Sequence, residues 1–409
     1  MPDLQPAAGN HPRPQVKTRH IARIGSSLEL LWERAYFAVT SGCEIVNGFQ
    51  DALIFDESDR PPNFGPPFMA HAPASAAEAL ASLTVSDNVG AVITTRSETD
   101  ARTAIRRIRH VNRHAAVLLD ANRYSGRTRR IGARCMTTGW INLQVKLGLR
   151  WALTDSGYIP AHDLAALRAV LAWGSDSPQL VTALPLAMQW LTIDHEALIT
   201  ELAAAGKPVA LMLESEGDPL ATEAAVSGLI AVLRCPVPAL LLRSDTSVLG
   251  ALAHGAVAVS VGTKTAFRHI YPVTDSAGGF MPPPAAYVPA LLSYKRLTTI
   301  EDGISRNPGL EVWKCDCSVC LGRSLDWIWS RTDPEEAAFE HSLAAQAELA
   351  KSLMMYPAGE RGSEWKTMCA VAQRNHEVIA RRKSGMWRPA KALNAWVSST
   401  PHSQASTPW

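Results

Sequence analysis

The sequence feature that most constrains the fold is a series of short apolar segments that alternate with helical ones from about residue 88 onward. Continuous apolar runs of this length are typical of parallel strands buried on both faces. The seven predicted strands are 89–95, 115–121, 150–157, 180–187, 208–215, 238–245 and 256–263, and an eighth fits earlier, at 43–49 or 52–55. Eight strand–helix units over about 250 residues predict an α/β fold of the TIM-type (β/α)8 barrel class. An open doubly wound sheet is the alternative, and the lack of a Gly-x-Gly-x-x-Gly segment after the first strand disfavours it.

Composition divides the chain into four predicted regions. Residues 1–20 are expected to be disordered, 21–275 to form the barrel, 276–397 to form a zinc-binding insertion with a C-terminal helical extension, and 398–409 to be a disordered tail. The Pro-rich, polar start has no apolar segment of the signal-peptide type. The sequence also lacks a run of about 18 apolar residues, so a membrane span is not predicted. We therefore expect a cytoplasmic protein with no membrane association. The net charge of +2 confines any nucleic-acid surface to a local basic patch.

Three of the seven cysteines fall within six positions, at Cys315, Cys317 and Cys320, while the others are scattered singly. In a reducing compartment this Cys-x-Cys-x-x-Cys spacing predicts a site for a thiophilic metal. The next histidine is His341, on a predicted amphipathic helix, and it is the expected fourth ligand of a structural Zn²⁺. An iron–sulfur cluster is the alternative, but it normally requires a fourth cysteine, and none is close. Three incidental thiols in a loop are the remaining interpretation.

This cysteine segment, followed by a histidine on a helix late in a barrel-type chain, resembles the zinc subdomain of tRNA-guanine transglycosylases. The resemblance implies a barrel that exchanges guanine for a 7-deazaguanine through a covalent ribosyl–aspartate intermediate, with a structural zinc ion. It is specific at the four metal-ligand positions and in the overall layout. The family's Asp-Ser-Gly-Gly-Phe turn has a partial counterpart in "TDSGYIP" at 154–160, and the strand that should carry the nucleophilic aspartate has Ser260 instead. We therefore expect a divergent relative, which either modifies tRNA or DNA or has lost base exchange.

Four acidic side chains end predicted strands, where a barrel builds its catalytic site. They are Asp120, Asp155, Glu214 and Asp245. Such a set can supply a nucleophile and a general base, and we predict Asp155 as the nucleophile and Asp120 as its partner. Each acid also has a structural interpretation. Asp155 lies in an Asp-Ser-Gly turn that can bond its own backbone, and Asp245 can cap the helix that follows it.

The last predicted strand leads into "VGTKTAFRHIYP", which offers hydrogen-bond donors and positive charge at a turn. The loops after the seventh and eighth strands are the usual phosphate site of this fold. The predicted substrate-binding or phosphate-binding residues are Gly262, Thr263, Thr265, Arg268 and His269. A helix N-terminus capped by Thr263 is the structural alternative. Basic segments at 123–134 and 374–391 suit contact with a nucleic-acid backbone, or are solvent-exposed faces.

Two functions compete on this sequence. The first is a transglycosylase whose partners are tRNA or DNA and a purine or deazapurine base. The second is a non-catalytic zinc-containing barrel that binds nucleic acid or a partner protein, and the serine at position 260 favours it. A third, an enzyme acting on a small phosphorylated metabolite, would leave the basic segments without a use. A homodimer is compatible with each. Acids that converge on one pocket would favour the enzyme, and a barrel mouth filled by side chains would favour binding.

Overall fold

The computed structural model describes residues 63–174, 179–273, 283–380 and 387–399. The chain divides into two units, Met1–Arg60 and Pro61–Trp409, and all of the described residues belong to the second. The predicted disordered ends, 1–20 and most of 398–409, lie outside the described residues. The boundaries predicted for the barrel and for the helical extension stay predictions.

Eight parallel strands form a nearly closed barrel, which confirms the predicted fold class. The strands are β1 Phe68–Pro73, β2 Gly90–Thr94, β3 Val117–Asp120, β4 Ala152–Leu153, β5 Leu180–Ala187, β6 Val209–Glu214, β7 Ala239–Ser244 and β8 Ala258–Gly262. Their order in the sheet is β3-β2-β1-β8-β7-β6-β5-β4. Most strand residues are buried, as expected of a parallel sheet with helices outside it and packed side chains inside it.

The first strand of the barrel differs from the prediction. The segments 43–49 and 52–55, proposed for it, lie outside the described residues. The position beside both β2 and β8 is occupied by Phe68–Pro73, with Met69 opposite Gly90 and Phe68 opposite Val259. The sequence pattern does not indicate this strand, because its apolar run is short and is interrupted by His71.

Helices cover the outside of the barrel and connect successive strands. They are α1 Ala77–Ser86, α2 Glu98–Val111, α3 Thr138–Lys146, α4 Leu164–Ala172, α5 Gln189–Thr192, α6 His195–Ala205, α7 Glu223–Leu233 and α8 Leu249–Ala253. Several of these helices begin at a residue whose side chain accepts a hydrogen bond from a backbone N–H of the first turn. The Ser97 hydroxyl accepts a hydrogen bond from the Asp100 N–H at 3.2 Å at the start of α2, and Thr137 caps α3 in the same way.

Within the described ranges, the junction between β3 and β4 is where the barrel lacks strand pairing. There, side chains of α3 form hydrogen bonds with backbone groups of β4 that have no strand partner. The buried Gln144 side chain accepts a hydrogen bond from the Leu153 N–H at 3.0 Å and donates one to the Leu153 carbonyl at 2.8 Å. The indole N–H of Trp140 donates to the same carbonyl at 3.0 Å. Because buried backbone groups need partners, these two side chains replace the missing strand neighbour.

In the described part of the chain, a hairpin and four α-helices follow the barrel. The hairpin consists of the antiparallel strands β9 Ala285–Val288 and β10 Ser293–Arg296, and the helices are α9 Leu297–Arg306, α10 Pro334–Met355, α11 Ala358–Ala380 and α12 Lys391–Ser398. Three large side chains, Trp313, Trp365 and Trp396, are buried in this part of the core. The predicted C-terminal helical extension is therefore present. None of the helices in the described segments is both long and apolar enough to cross a membrane.

Candidate metal centre and barrel mouth

Cys315, Cys317, Cys320 and His341 lie together and form a candidate metal site. Their ligand atoms, three sulfurs and one ring nitrogen, are all within 4.8 Å of one another, and all four side chains are buried. His341 Nδ1 is 3.1 Å from Cys320 Sγ and 3.7 Å from Cys317 Sγ. Three sulfurs and one nitrogen around a common point are the donor set of a closed tetrahedral site for a thiophilic cation.

A tight turn brings the three cysteines together. The N–H groups of Cys320 and Leu321 donate to the Cys317 carbonyl at 3.0 and 2.9 Å. Leu321 and Gly322 then adopt left-handed backbone conformations, with φ of 53° and 82°. The chain therefore reverses, and the Gly322 N–H donates to the Cys315 carbonyl at 2.9 Å. Glycine carries this conformation without a steric penalty, which makes it suited to its position.

The hairpin orients the histidine of the site. His341 lies on α10, and its Nε2 atom is 2.7 Å from the Tyr287 carbonyl of β9, so Nε2 carries a proton and Nδ1 faces the thiols. Burial alone lowers the pKa of His341, but the Cys317 and Cys320 thiols outweigh burial and raise this pKa to about 9. A cation bound by the three sulfurs would take the place of the proton on Nδ1, so binding releases protons.

A second group of polar side chains fills the barrel mouth around Asp120. We call Asp120, His71, Thr94, Tyr124 and Arg243 the mouth network. The Tyr124 hydroxyl donates to Asp120 Oδ2 at 2.8 Å, and Thr94 Oγ1 and His71 Nε2 both lie 3.2 Å from the same oxygen. An Arg243 guanidinium nitrogen lies 3.8 Å away. Four strands, β1, β2, β3 and β7, thus contribute to one buried cluster.

The mouth network keeps Asp120 ionised although it is 2% exposed. Burial opposes the charge, but the hydrogen bond with His71 and the positive charge of Arg243 outweigh it, so the pKa of Asp120 is lowered. The Asn122 N–H donates to the other carboxylate oxygen at 2.8 Å. The pKa of His71 is lowered, chiefly by burial. A neutral histidine beside a charged aspartate is the state that this arrangement favours.

Ser260, in the strand where the family resemblance expects an aspartate, belongs to the same cluster. Its Oγ accepts a hydrogen bond from the Arg243 N–H at 2.9 Å and lies 3.3 Å from His71 Nδ1. Arg243 itself has a left-handed backbone, with φ of 53°, at an irregularity in β7. This uncommon conformation for a residue other than glycine directs the guanidinium into the mouth.

The chain after β8 runs across the barrel mouth; we call residues 263–270 the strap. The ring of Phe267 stacks on that of His71, with 5.9 Å between centroids. Arg243 donates to the strap carbonyls of Ala266 at 2.7 Å and His269 at 3.2 Å. Arg243 therefore holds the strap against the mouth network.

The far end of the strap joins the sheet on the other side of β7. The Ile270 N–H donates to the Leu213 carbonyl, and the Ser215 N–H donates to the Ile270 carbonyl, both at 2.9 Å. Ile270 thus extends the edge of β6, and the strap bridges from β8 to β6 over the end of β7.

Asp155 belongs to a different network from Asp120. Its Oδ1 accepts a hydrogen bond from the Thr137 N–H and its Oδ2 accepts one from the Thr137 hydroxyl, both at 3.0 Å. Burial raises the pKa of this carboxyl. Its geometry is that of a side chain that fixes the loop before α3. The catalytic roles predicted for Asp155 and Asp120 stay predictions.

The other two strand-end acids are also engaged. Glu214 accepts hydrogen bonds from Arg129 and from the Tyr158 hydroxyl. Asp245 accepts one from the Thr246 N–H at 2.7 Å, and a guanidinium nitrogen of Arg268 lies 3.7 Å from it. The interpretation of Asp245 as a cap of the segment that follows it is consistent with this contact.

The predicted phosphate-binding residues lie at the start of the strap or within it. Gly262 ends β8, and the N–H and hydroxyl of Thr263 both donate to the His71 carbonyl. Arg268 packs over the ring of Tyr294 at 3.8 Å, and burial lowers the pKa of His269 to about 4. Thr265 is exposed at the start of a short 3₁₀ helix. Binding of a phosphate by this segment stays a prediction.

Exposed basic side chains follow neighbouring strands at the same end of the barrel. We call Arg96, Arg127, Arg130 and Lys264 the basic face; they follow β2, β3, β3 and β8, respectively, and all are exposed. In the sheet, only β1 separates β2 from β8, so Arg96 and Lys264 follow strands that lie close together. Arg130 lies beside the segment that follows β4, where its carbonyl accepts a hydrogen bond from the Tyr158 N–H at 2.8 Å. In the other predicted basic segment, 381–386 lie outside the described residues.

Three members of the mouth network are not among the site residues predicted from the sequence: His71, Thr94 and Arg243. His71 lies in the strand that was not predicted, although a strand one repeat before β2 is what the barrel pattern requires. Thr94 and Arg243 are polar residues at the ends of predicted strands, which is the signal that identified the acids.

No protein-family model matches the chain, and a comparison with curated proteins finds no significant match.

Proposed function

We propose that the protein is a divergent, zinc-containing barrel of the tRNA-guanine transglycosylase type. Two features support this proposal: a parallel eight-strand barrel and, late in the chain, a buried cluster of three cysteines and one histidine. Three sulfurs and one nitrogen are ligands that suit Zn²⁺ in a closed structural site. The site joins the cysteine turn to α10 and the hairpin, so the ion would stabilise the helical extension.

We further propose that the protein binds nucleic acid at the barrel mouth without exchanging a base. The observation that carries this proposal is the state of the strand-end carboxylates. Asp120 is enclosed by the mouth network, both oxygens of Asp155 accept hydrogen bonds from Thr137, and Glu214 is bound by Arg129 and Tyr158. A carboxylate that attacks a sugar must approach the anomeric carbon, and each of these three is held instead by hydrogen bonds within the protein.

The basic face supplies the attraction for such a partner. Its four exposed cations follow β2, β3 and β8 at the C-terminal end of the barrel. Clustered arginine and lysine side chains bind the phosphate backbone and release its counter-ions, independently of sequence. The ligand chemistry common to RNA and DNA is therefore a phosphodiester backbone, and experiment distinguishes the two.

Base exchange is the second candidate, and the ionised state of Asp120 favours it. A carboxylate held ionised at a strand end, beside His71 and Ser260, is a chemically competent partner for a developing cationic sugar. In this mechanism the strap would move and the Asp155 carboxylate would attack the anomeric carbon, so that the resident purine leaves with the electrons of the glycosidic bond. The incoming base would then displace Asp155, and Asp120 would act as the general base that accepts the proton lost by that base. Asp155→Asn would then abolish incorporation of a purine or deazapurine, and Asp120→Asn would slow it by about a hundredfold or more.

The binding proposal is tested by fluorescence anisotropy with labelled tRNA and with duplex DNA, over a range of salt concentrations. The test variant is Arg130→Ala/Lys264→Ala. The control is Arg168→Ala, which removes an exposed arginine of α4 that pairs with Glu201. The double variant should bind the preferred nucleic acid at least about tenfold more weakly, and the slope of log Kd against log salt should fall by about 2.

The control variant should bind as the parent protein does. Failure of the parent to bind either nucleic acid at about 50 mM salt, or unchanged binding and salt dependence in the double variant, would overturn the proposal. Binding of only one of the two nucleic acids would identify the partner.

A further inference from the structure

A cavity of about 660 Å³ lies at the end of the barrel opposite the mouth. It is lined by the segments that precede β1, β2, β3 and β4 and by the ends of α1 and α2. Catalytic sites of this fold lie at the other, C-terminal end. The volume falls within the range of about 300–1,000 Å³ that is usual for small-molecule sites. We call this space the basal cavity. It has the volume of a small-molecule binding site but lies at the opposite end of the barrel from the usual catalytic site.

The charge of the basal cavity has one sign. Arg109, Arg113, Arg150 and His114 line it, and none of its described lining residues is an aspartate or a glutamate. Positive charge near the C-terminal end of α2 is in part what a helix dipole attracts. That effect does not explain Arg150, which precedes β4, nor the absence of an acid in the described lining. A space whose charged side chains, among the described lining residues, are all arginines favours an anion.

One of these arginines is already fixed in place. The guanidinium of Arg109 donates to the carbonyl of Leu147 at 2.5 Å and to that of Gly148 at 2.8 Å. Its Nε atom is buried and has no hydrogen-bond partner in the described structure. These contacts hold the positive charge of Arg109 at the wall of the cavity.

An aromatic wall lies beside the cations. Trp151 packs on Phe64, with 4.5 Å between ring centroids, and its indole N–H donates to the Asn63 carbonyl at 2.8 Å. All three residues line the cavity. Arginine guanidinium groups match phosphate oxygens, and a fixed aromatic ring offers a flat surface for a planar ring.

We propose that the basal cavity binds a small phosphorylated ligand of mononucleotide size through Arg109, Arg113 and Arg150. The phosphate group is the chemistry that the cations recognise, and Trp151 contacts the rest of the ligand. This site is independent of the basic face, because the two lie at opposite ends of the barrel. A ligand here would stabilise the barrel or regulate it from a distance.

Isothermal titration calorimetry with inorganic phosphate, pyrophosphate, GMP and guanosine tests the proposal on the full chain. The test variant is Arg113→Ala/Arg150→Ala; both side chains are exposed, so the fold should be retained. The control is Arg106→Ala, an exposed arginine of α2 that does not line the cavity. GMP should bind the parent and the control equally and the test variant at least about tenfold more weakly, as expected for lost charge-assisted contacts.

Each arm of the titration has a decisive outcome. Guanosine should bind much more weakly than GMP, and equal binding would contradict recognition of the phosphate. Absence of binding by phosphate, pyrophosphate and GMP at millimolar concentration would overturn the proposal, as would binding that the test variant retains. Binding of pyrophosphate but not of GMP would overturn the assigned ligand size. The Arg130→Ala/Lys264→Ala variant should bind GMP as the parent does, which separates this site from the basic face.

Discussion

Replacement of Asp120 by Asn tests whether the mouth network is a structural element. The carboxylate accepts hydrogen bonds from the Asn122 N–H and the Tyr124 hydroxyl, both at 2.8 Å, and it is the counter-charge of Arg243 at 3.8 Å. An asparagine cannot reproduce these contacts, because its amide nitrogen would face other donors. The substitution also leaves Arg243, which is 4% exposed, as a buried cation without a counter-charge.

The expected loss of unfolding free energy is about 3 kcal/mol. Removal of one partner of a buried ion pair costs about 3–5 kcal/mol. The lower end applies because Arg243 keeps its hydrogen bonds to the carbonyls of Ala266 and His269. Arg243→Met should cost a similar amount, because Asp120 is then the unpaired charge. The double variant should cost at least about 1 kcal/mol less than the sum of the two, since both side chains share one network.

Urea unfolding followed by circular dichroism measures this double-mutant cycle. The control is Asp302→Asn, whose ion pair with Arg306 is exposed and should contribute less than about 1 kcal/mol. Folding lowers the pKa of Asp120. Its contribution to the unfolding free energy is therefore full at neutral pH and is lost as the pH falls through the pKa of the folded state. The difference in unfolding free energy between the parent and Asp120→Asn should therefore become smaller at acidic pH. A cost below about 1 kcal/mol at pH 7 together with additive single effects would refute the structural role.

Three further predictions concern the metal site, the partly buried Asp218 and the β3–β4 junction. Cys317→Ser should abolish metal binding and lower the melting temperature, whereas Cys135→Ser, which lies outside the cluster, should keep one ion per chain by elemental analysis; retention of metal by Cys317→Ser would contradict the assigned ligands. Burial and the neighbouring Asp245 carboxylate raise the pKa of Asp218 to about 7. The contribution of Asp218 to the unfolding free energy is therefore full below the ordinary carboxyl pKa and is lost as the pH rises to 7. Asp218→Asn should therefore raise the melting temperature at pH 8 but not at pH 4, and an equal change at both would be inconsistent with this shift. Gln144→Leu leaves the buried Leu153 N–H without a partner and should lower the unfolding free energy by about 1–3 kcal/mol in urea; an unchanged midpoint would rule out the role of this side chain at the junction.

Most of the barrel could be predicted because its strands are buried on both faces. Continuous apolar runs identify β2, β3 and β5 to β8, since helices cover one side of each and packed side chains the other. The strand predicted at 150–157 is shorter in the structure, at Ala152–Leu153. Its neighbour on one side is the Gln144 side chain, and no local pattern indicates that a side chain from a helix replaces a strand.

The metal cluster and the mouth network differ in how much of their geometry is local. Three ligands of the cluster lie within one turn, so their spacing alone predicted a metal site. The mouth network depends on contacts that are distant in sequence; His71 and Ser260, for example, are 189 positions apart. The direction of the Arg243 side chain depends on a left-handed backbone, which sequence rules do not predict for arginine. Strand-end polarity identified Asp120 as a residue of the mouth but could not indicate what surrounds it.

The measurement that tests the central claim most directly is incorporation of labelled guanine or a labelled 7-deazaguanine into tRNA and into DNA by the metal-loaded protein. It is made under conditions in which anisotropy shows the nucleic acid to be bound. We predict a bound complex with no incorporation above that of the Asp120→Asn variant, because the strand-end carboxylates are engaged and Ser260 stands where the transglycosylases that the sequence resembles have an aspartate. Incorporation by the parent protein that Asp155→Asn or Asp120→Asn abolishes would contradict the claim and establish base exchange.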